Sequence, residues 1–183
     1  MSSIARTELN RRLKDFDELM HARDQVCPNG AGRPAQRQGQ AIVHGSVVLL
    51  SAAFEAFVEE LYEEAVDVVY AHADPSDILQ LKKNTSHRMN NADTFKVNHL
   101  FFNIGIAWIM KMRRIRWQKF SNSKVQKTLN KMIEARNAVA HGKNPGLRKS
   151  QAVNWRSFVE RLSDRLELTV ADELERWGYT RPW

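Results

Sequence analysis

The chain has 183 residues, of which 43% are hydrophobic and 27% charged, with a single cysteine and a formal net charge of +7. This is the composition of a soluble globular protein, and one cysteine excludes an intrachain disulfide framework or a cysteine-based zinc cluster. Cys27 fits a reducing compartment, and an isoelectric point near 9.8 favours a polyanionic partner such as nucleic acid.

The length suits one domain over 1–183, with an N-terminal helix at 3–24, a loop at 25–34 and a core bundle at 35–178. Met1–Asn10 has no apolar core of signal-peptide length. The apolar stretches Val47–Phe54 and Ile104–Met110 are too short and too interrupted to span a bilayer. A cytoplasmic protein without membrane contact is therefore expected. Ile4, Leu9, Leu13, Phe16 and Leu19–Met20 recur at helical spacing. Cys27 to Pro34 reads as a loop, rich in Pro and Gly. From about Ala35 to Ala73 runs one long amphipathic helix. Val43, Val47, Leu50, Phe54, Phe57, Val58, Leu61, Ala65 and Val68 mark its buried face. Its carboxylates lie on the other side, with His44 and Glu55 on the shoulder. Gly45 costs helix propensity and suggests close approach of a neighbouring helix.

Asp74-Pro75 signals an N-cap with proline at the first helical position, opening a short helix over Ser76–Lys83. Asn84–Asp93 reads as a polar loop, with Asp93 capping a helix over about Thr94–Ile104. Trp108, Met112 and Ile115 continue an apolar stripe amid basic residues. Ser121-Asn122-Ser123 starts the next long helix, which ends at Gly142 and Pro145. Ser150 is expected to cap the last helix, buried through Trp155, Phe158, Val159, Leu162, Leu166, Thr169, Val170, Leu174 and Trp177. No run of period two competes. The fold class is all-α, an antiparallel bundle of four to five main helices with short connecting helices.

The end of the penultimate long helix carries the chemistry. At ~100° per residue, Val125, Leu129, Met132, Val139 and Ala140 form one apolar stripe. Arg136 falls about 20° from its centre. A guanidinium there needs a partner, since an unpaired buried charge costs several kcal/mol. Asn137 and His141 share the adjacent shoulder, so a cation, an amide and a titratable imidazole meet at one helix end. Such groups suit work on a phosphate. Two other readings stay open. His141 before Gly142 could simply favour the helix dipole and cap carbonyls, and Arg136 could form a buried pair with Glu55. The basic run through Lys111, Arg113, Arg114, Arg116, Lys119, Lys124, Lys127 and Lys131 leads straight into this segment. With Met112, Ile115 and Trp117 interleaved, its Lys111–Lys119 part could hold RNA phosphates and stack a base. His44, His72, His87 and His99 lack regular metal-ligand spacing, so no metal or other cofactor is expected.

Arg136-Asn137-Ala138-Val139-Ala140-His141-Gly142 resembles the R-x4–6-H motif of the HEPN superfamily. His44 to Phe57, with Glu55 midway along a long helix, and Asn98 to Ile106 resemble its RiboL-PSP-HEPN branch. The resemblance spans roughly Ala35–Trp177. It implies a helical bundle, metal-independent endoribonuclease activity, and a homodimer whose two motifs face each other. It further implies duty as a toxin with an antitoxin protein partner, or as an antiviral effector. Under it, Arg136, Asn137 and His141 are catalytic and Glu55 is supporting. Lys111, Arg113, Arg114, Arg116, Lys131 and Lys143 would bind RNA. A non-catalytic HEPN module that binds RNA, nucleotide or protein is the alternative, and a purely helical interaction protein is the third reading. A five-residue step turns a helix by about 140°, so one helix does not easily aim Arg136 and His141 at one atom. Two copies about a two-fold axis could.

Overall fold

The computed structural model describes residues 2–85 and 90–183. Among the described residues six α-helices follow one another: α1 (Ile4–Val26), α2 (Arg33–Val69), α3 (Pro75–Thr85), α4 (Thr94–Phe102), α5 (Asn122–Ala140) and α6 (Lys149–Arg176). The chain is all-α, and its described residues form no strand; Trp117 and Phe120 make one isolated bridge. His87 lies outside the described residues, as does part of the expected loop Asn84–Asp93.

α2 is the axis of the bundle. Its 37 residues extend about 55 Å at ~1.5 Å per residue. α1, α6 and α5 all pack against it, and α1 also touches α6. The expected apolar face of α2 is buried from Val43 through Ala65, and Val68 is half-buried. α1 runs antiparallel to both long neighbours, and its polar contacts show the register. Glu64 of α2 accepts from the backbone N–H of Ala5 at 2.6 Å, while Glu167 of α6 accepts from Ser3 N–H at 2.6 Å. Two carboxylates from different helices thus meet the positive end of α1, where free N–H groups and the helix dipole favour anions. Further along, Arg6 pairs with Asp164, Arg156 with Asp17, and Lys149 with Asp24. α1 is therefore built into the same core as the rest.

Local signals act largely as read from the sequence. Asp93 accepts from Lys96 N–H at 2.9 Å and opens α4, and Ser121 accepts from Lys124 N–H to open α5. Asp74 accepts from the backbone and hydroxyl of Ser76, just ahead of α3. Five expectations fail. Trp177, expected on the buried face of α6, is exposed at its C-cap. Ser150 does not cap α6, which begins one residue earlier with Arg148 at the N-cap and no side-chain bond. The Trp108–Ile115 stripe is not helical beyond single 3-10 turns at Ile109–Lys111 and Arg113–Ile115, and Trp108 is exposed. Gly45 faces open space, so it admits no close neighbour. α2 also contains a stretch long and apolar enough to cross a bilayer, contrary to the run-length estimate, and half of that stretch is buried in the chain's own core.

The close approach occurs at Gly39 instead. A Cβ placed there would lie 2.7 Å from Cβ and 3.3 Å from Sγ of the buried Cys27. The absent side chain lets the end of α1 fold back against the start of α2. Gly39→Ala is expected to lower stability by about 1–3 kcal/mol through overpacking, despite the better helix propensity of alanine. Gly45→Ala, at an open site in the same helix, should stabilise by about 0.5–1 kcal/mol. Urea denaturation midpoints of the two variants check both signs.

Candidate functional site

α5 ends in a closed geometry. Gly142 adopts φ +71°, its N–H bonds to Val139 O at 2.9 Å, and Lys143 N–H bonds to Ala138 O at 2.8 Å. This pair of bonds is a Schellman cap, and only glycine enters the required left-handed conformation without penalty. His141 is the last residue before the reversal, with φ −92° and its own N–H bonded to Asn137 O and Val139 O. Its imidazole is exposed and makes no hydrogen bond among the described residues. The terminus is thus fixed rather than frayed, and the imidazole is displayed on it.

The apolar stripe does not extend to this end. Val125, Leu129, Met132, Ile133 and Ala135 are buried, whereas Val139 is half-buried and Ala140 is exposed. The last turn of α5 therefore projects beyond the core. Arg136 sits at the transition and is half-buried.

Arg136 finds its partner in a residue not singled out from the sequence. Its Nη1 donates to Asn91 Oδ1 at 2.7 Å and to Asn137 Oδ1 at 3.1 Å. Asn91 in turn donates its backbone N–H to Glu55 Oε2 at 2.9 Å. The direct Arg136–Glu55 pair is replaced by a relay, Glu55 to Asn91 to Arg136, joining the middle of α2, the segment before α4 and the end of α5. Asn91 has φ +63°, a conformation that asparagine tolerates better than most residues. Two asparagines in succession ahead of the Asp93 cap are the one trace of this turn in the sequence. The Nε of Arg136 is buried and has no acceptor among the described residues. A buried guanidinium donor left open is costly.

The side chain of Asn137 thus contacts the arginine. Glu55 serves as the anchor. One turn further along α2, Glu59 is half-buried, and burial together with Glu55, Glu63 and Glu60 pushes its carboxyl up to about 7. The carboxylates of α2 therefore form a crowded row behind the arginine.

The basic residues divide. Lys111, Arg113, Arg116, Lys131 and Lys143 are exposed. Arg114 is paired with Asp172 of α6. Trp117 is no free stacking surface, because its ring lies 4.8 Å from Phe120 and 5.9 Å from Phe158 between centroids. Among the described residues no three His, Cys, Asp or Glu side chains gather as a metal site would require. His44 instead bonds Gln40 at 2.9 Å, and Gln40 reaches Leu147 O at 2.8 Å.

The fold and this arrangement meet in one assignment. A family model described as RiboL-PSP-HEPN matches residues 3–172, and the chain belongs to that HEPN family. The match begins at α1, so the N-terminal helix lies within it, ahead of the segment that first showed the likeness. No curated protein and no solved structure matches the chain significantly. Membership points to an RNA-related function.

Two variants test the relay and its surroundings. Asn91→Ala should destabilise by about 1–3 kcal/mol, from the lost charge-assisted bond and the left-handed backbone. Asn91→Gly should cost less, because the backbone penalty vanishes. Chemical denaturation separates the two. For Glu59, a folded-state pKa raised above its ordinary value of 4.5 means that the native state holds the proton more tightly than the unfolded chain. Stability from this group is present at acid pH and declines as pH rises from about 4.5 to about 7. Glu59→Gln should accordingly raise Tm more at pH 8 than at pH 5, a difference that thermal melts at the two pH values would reveal.

Proposed function

We propose that this protein is an endoribonuclease that cleaves RNA by attack of a ribose 2′-hydroxyl on the adjacent phosphate, with its site completed by a second copy of the chain. The observation that carries this reading is the end of α5. A half-buried arginine with an open Nε donor stands five residues before an exposed histidine on a rigidly capped helix terminus.

In the reaction the 2′-oxygen bonds to phosphorus and the bond to the 5′-oxygen breaks. The 2′-hydroxyl loses its proton to a base, and the leaving 5′-oxygen takes one from an acid. The products are a 2′,3′-cyclic phosphate and a 5′-hydroxyl. An imidazole whose ordinary pKa is about 6.5 suits both proton transfers near neutral pH. The arginine places positive charge on the phosphate as negative charge builds there.

A single chain turns Arg136 away from His141. The relay holds the guanidinium toward Asn91 and Asn137, while the cap fixes the imidazole about 140° round the helix. Pairing two α5 ends about a two-fold axis brings the arginine of one copy toward the histidine of the other. Support for such a pair comes from the face of α2 between its two contacts with the motif region. Ala41, Gly45 and Ala52 are exposed there, and Val48, Leu49 and Ala56 are only half-covered. These six residues are apolar, and a second copy would bury them. Lys143, next to the cap, and Lys131, on the outer face of α5, would hold neighbouring phosphates.

The alternative is a non-catalytic HEPN module. It is favoured by the engagement of Arg136 with Asn91 and Asn137, which alone would account for a structural arginine.

Incubation with RNA in EDTA is expected to yield 2′,3′-cyclic phosphate ends. His141→Ala should slow cleavage by about 10²–10⁴-fold while remaining folded. Arg136→Ala should do likewise, and mixing it with His141→Ala should restore part of the activity through mixed dimers. Cleavage indifferent to both variants would sink the assignment. Binding without cleavage in the native chain would select the module.

A further inference from the structure

The region between Thr94 and Ile133 contains nine Lys and Arg residues and no Asp or Glu. Within it, large aromatic side chains stand in solvent. Phe95 is 74% exposed, Phe102 64% and Trp108 60%. Among the described large apolar residues, only Ile4 and Leu79 are otherwise more than half exposed, and no other ring among them is. The three rings are not scattered. Phe95, His99 and Phe102 follow at four- and three-residue steps along α4 and so share one face. The imidazole of His99 is inclined 29° to the Phe95 ring, with centroids 6.1 Å apart. Trp108 faces them across a shallow groove of about 230 Å³ that Asn98 completes.

Two details show how the groove is held. Asn98 is tied down, because its Oδ1 accepts from Met110 N–H at 2.9 Å. Trp108 has φ +55°, a left-handed conformation that disfavours an ordinary side chain. The chain accepts that conformation while burying Ile109 and Met110 beside it and leaving the indole outside. The ammonium of Lys111 then sits 4.3 Å over the indole ring. Lys96, which also belongs to α4, donates its ammonium to Asn90 O, and Arg113 and Arg116 are exposed further along the same basic stretch.

We infer that the Phe95–His99–Phe102–Trp108 groove is a stacking platform for unpaired nucleobases, with Lys111 at its rim to meet a backbone phosphate. Flat rings with a cation at their rim, without a carboxylate in the surrounding stretch, match a single-stranded polyanion with π faces. A duplex keeps its base faces covered and would gain only the phosphate contacts. A protein partner of ordinary mixed charge would meet uncompensated repulsion from its own basic groups. The platform also begins within four residues of Asn91, the residue that holds Arg136, so bound bases would lead toward the proposed cleavage site. The inference rests on the RNA reading of the preceding section and adds the substrate class: single-stranded RNA or unpaired loops.

Fluorescence anisotropy in a His141→Ala background keeps a labelled RNA intact. The probes are a short single-stranded RNA and a duplex of equal length. Phe95→Ala and Trp108→Ala, both at exposed positions, should each weaken single-strand binding about tenfold and leave duplex binding nearly unchanged. Trp108→Phe should restore most of the loss. Equal affinity for both probes, with neither alanine variant altering it, overturns the platform while leaving RNA binding standing. A change of oligomeric mass by light scattering in Phe95→Ala or Trp108→Ala marks the groove as a protein interface and overturns it too. Failure of either RNA to bind at low salt removes the RNA reading itself, and the platform with it.

Discussion

The Glu55–Asn91–Arg136 relay sets the geometry on which the rest of the motif depends. It connects three segments distant in sequence, and it does so where the core stops and the last turn of α5 emerges. A carboxylate directly against the guanidinium would neutralise it and occupy its donors. The neutral amide of Asn91 between them holds the arginine by one hydrogen bond and leaves its charge available. The carboxylate acts on the backbone of Asn91, which fixes a left-handed residue that would otherwise be unfavourable. An anchoring interaction thus positions a cation without quenching it.

Burial and display divide along α5 at the same point. Up to Ala135 the helix contributes side chains to the core, and from Arg136 onward it contributes surface. The Schellman cap then stops the helix abruptly, so the exposed imidazole has a defined backbone beneath it. This combination of a rigid scaffold with an accessible titratable group is what general acid–base chemistry requires. The same rigidity keeps the Arg136 and His141 positions about 140° apart around the helix.

Most of the architecture was legible from periodicity and caps. Each long helix has a buried face at three- and four-residue spacing, and Asp93 and Ser121 announce their helices locally. The motif was legible as a string of residues. Three kinds of information were not. Asn91 matters through a left-handed turn and a bond over 45 positions, neither of which spacing encodes. Gly39 and Gly45 lie in the same helix and differ only in what the fold brings opposite them. Trp108 and Trp117 are both aromatic residues in a basic segment, yet Trp117 is packed against Phe120 and Phe158 while Trp108 stands clear. Helical extrapolation beyond Phe102 failed because the chain there closes on itself through single 3-10 turns, with Met110 bonded back to Asn98.

The acid-free stretch has a consequence at long range. The chain carries +7 in all and Thr94–Ile133 carries +9, which leaves −2 for the remaining residues. The molecule is electrically lopsided: one region is strongly cationic and the rest nearly neutral, with the carboxylates of α2 among it. Such a body turns in the field of a nearby polyanion before touching it, so collisions begin with the charged flank foremost. Orientation during approach is thereby settled by electrostatics that dissolved salt attenuates over about 10 Å at 0.1 M, well before any base or phosphate is within reach of a hydrogen bond.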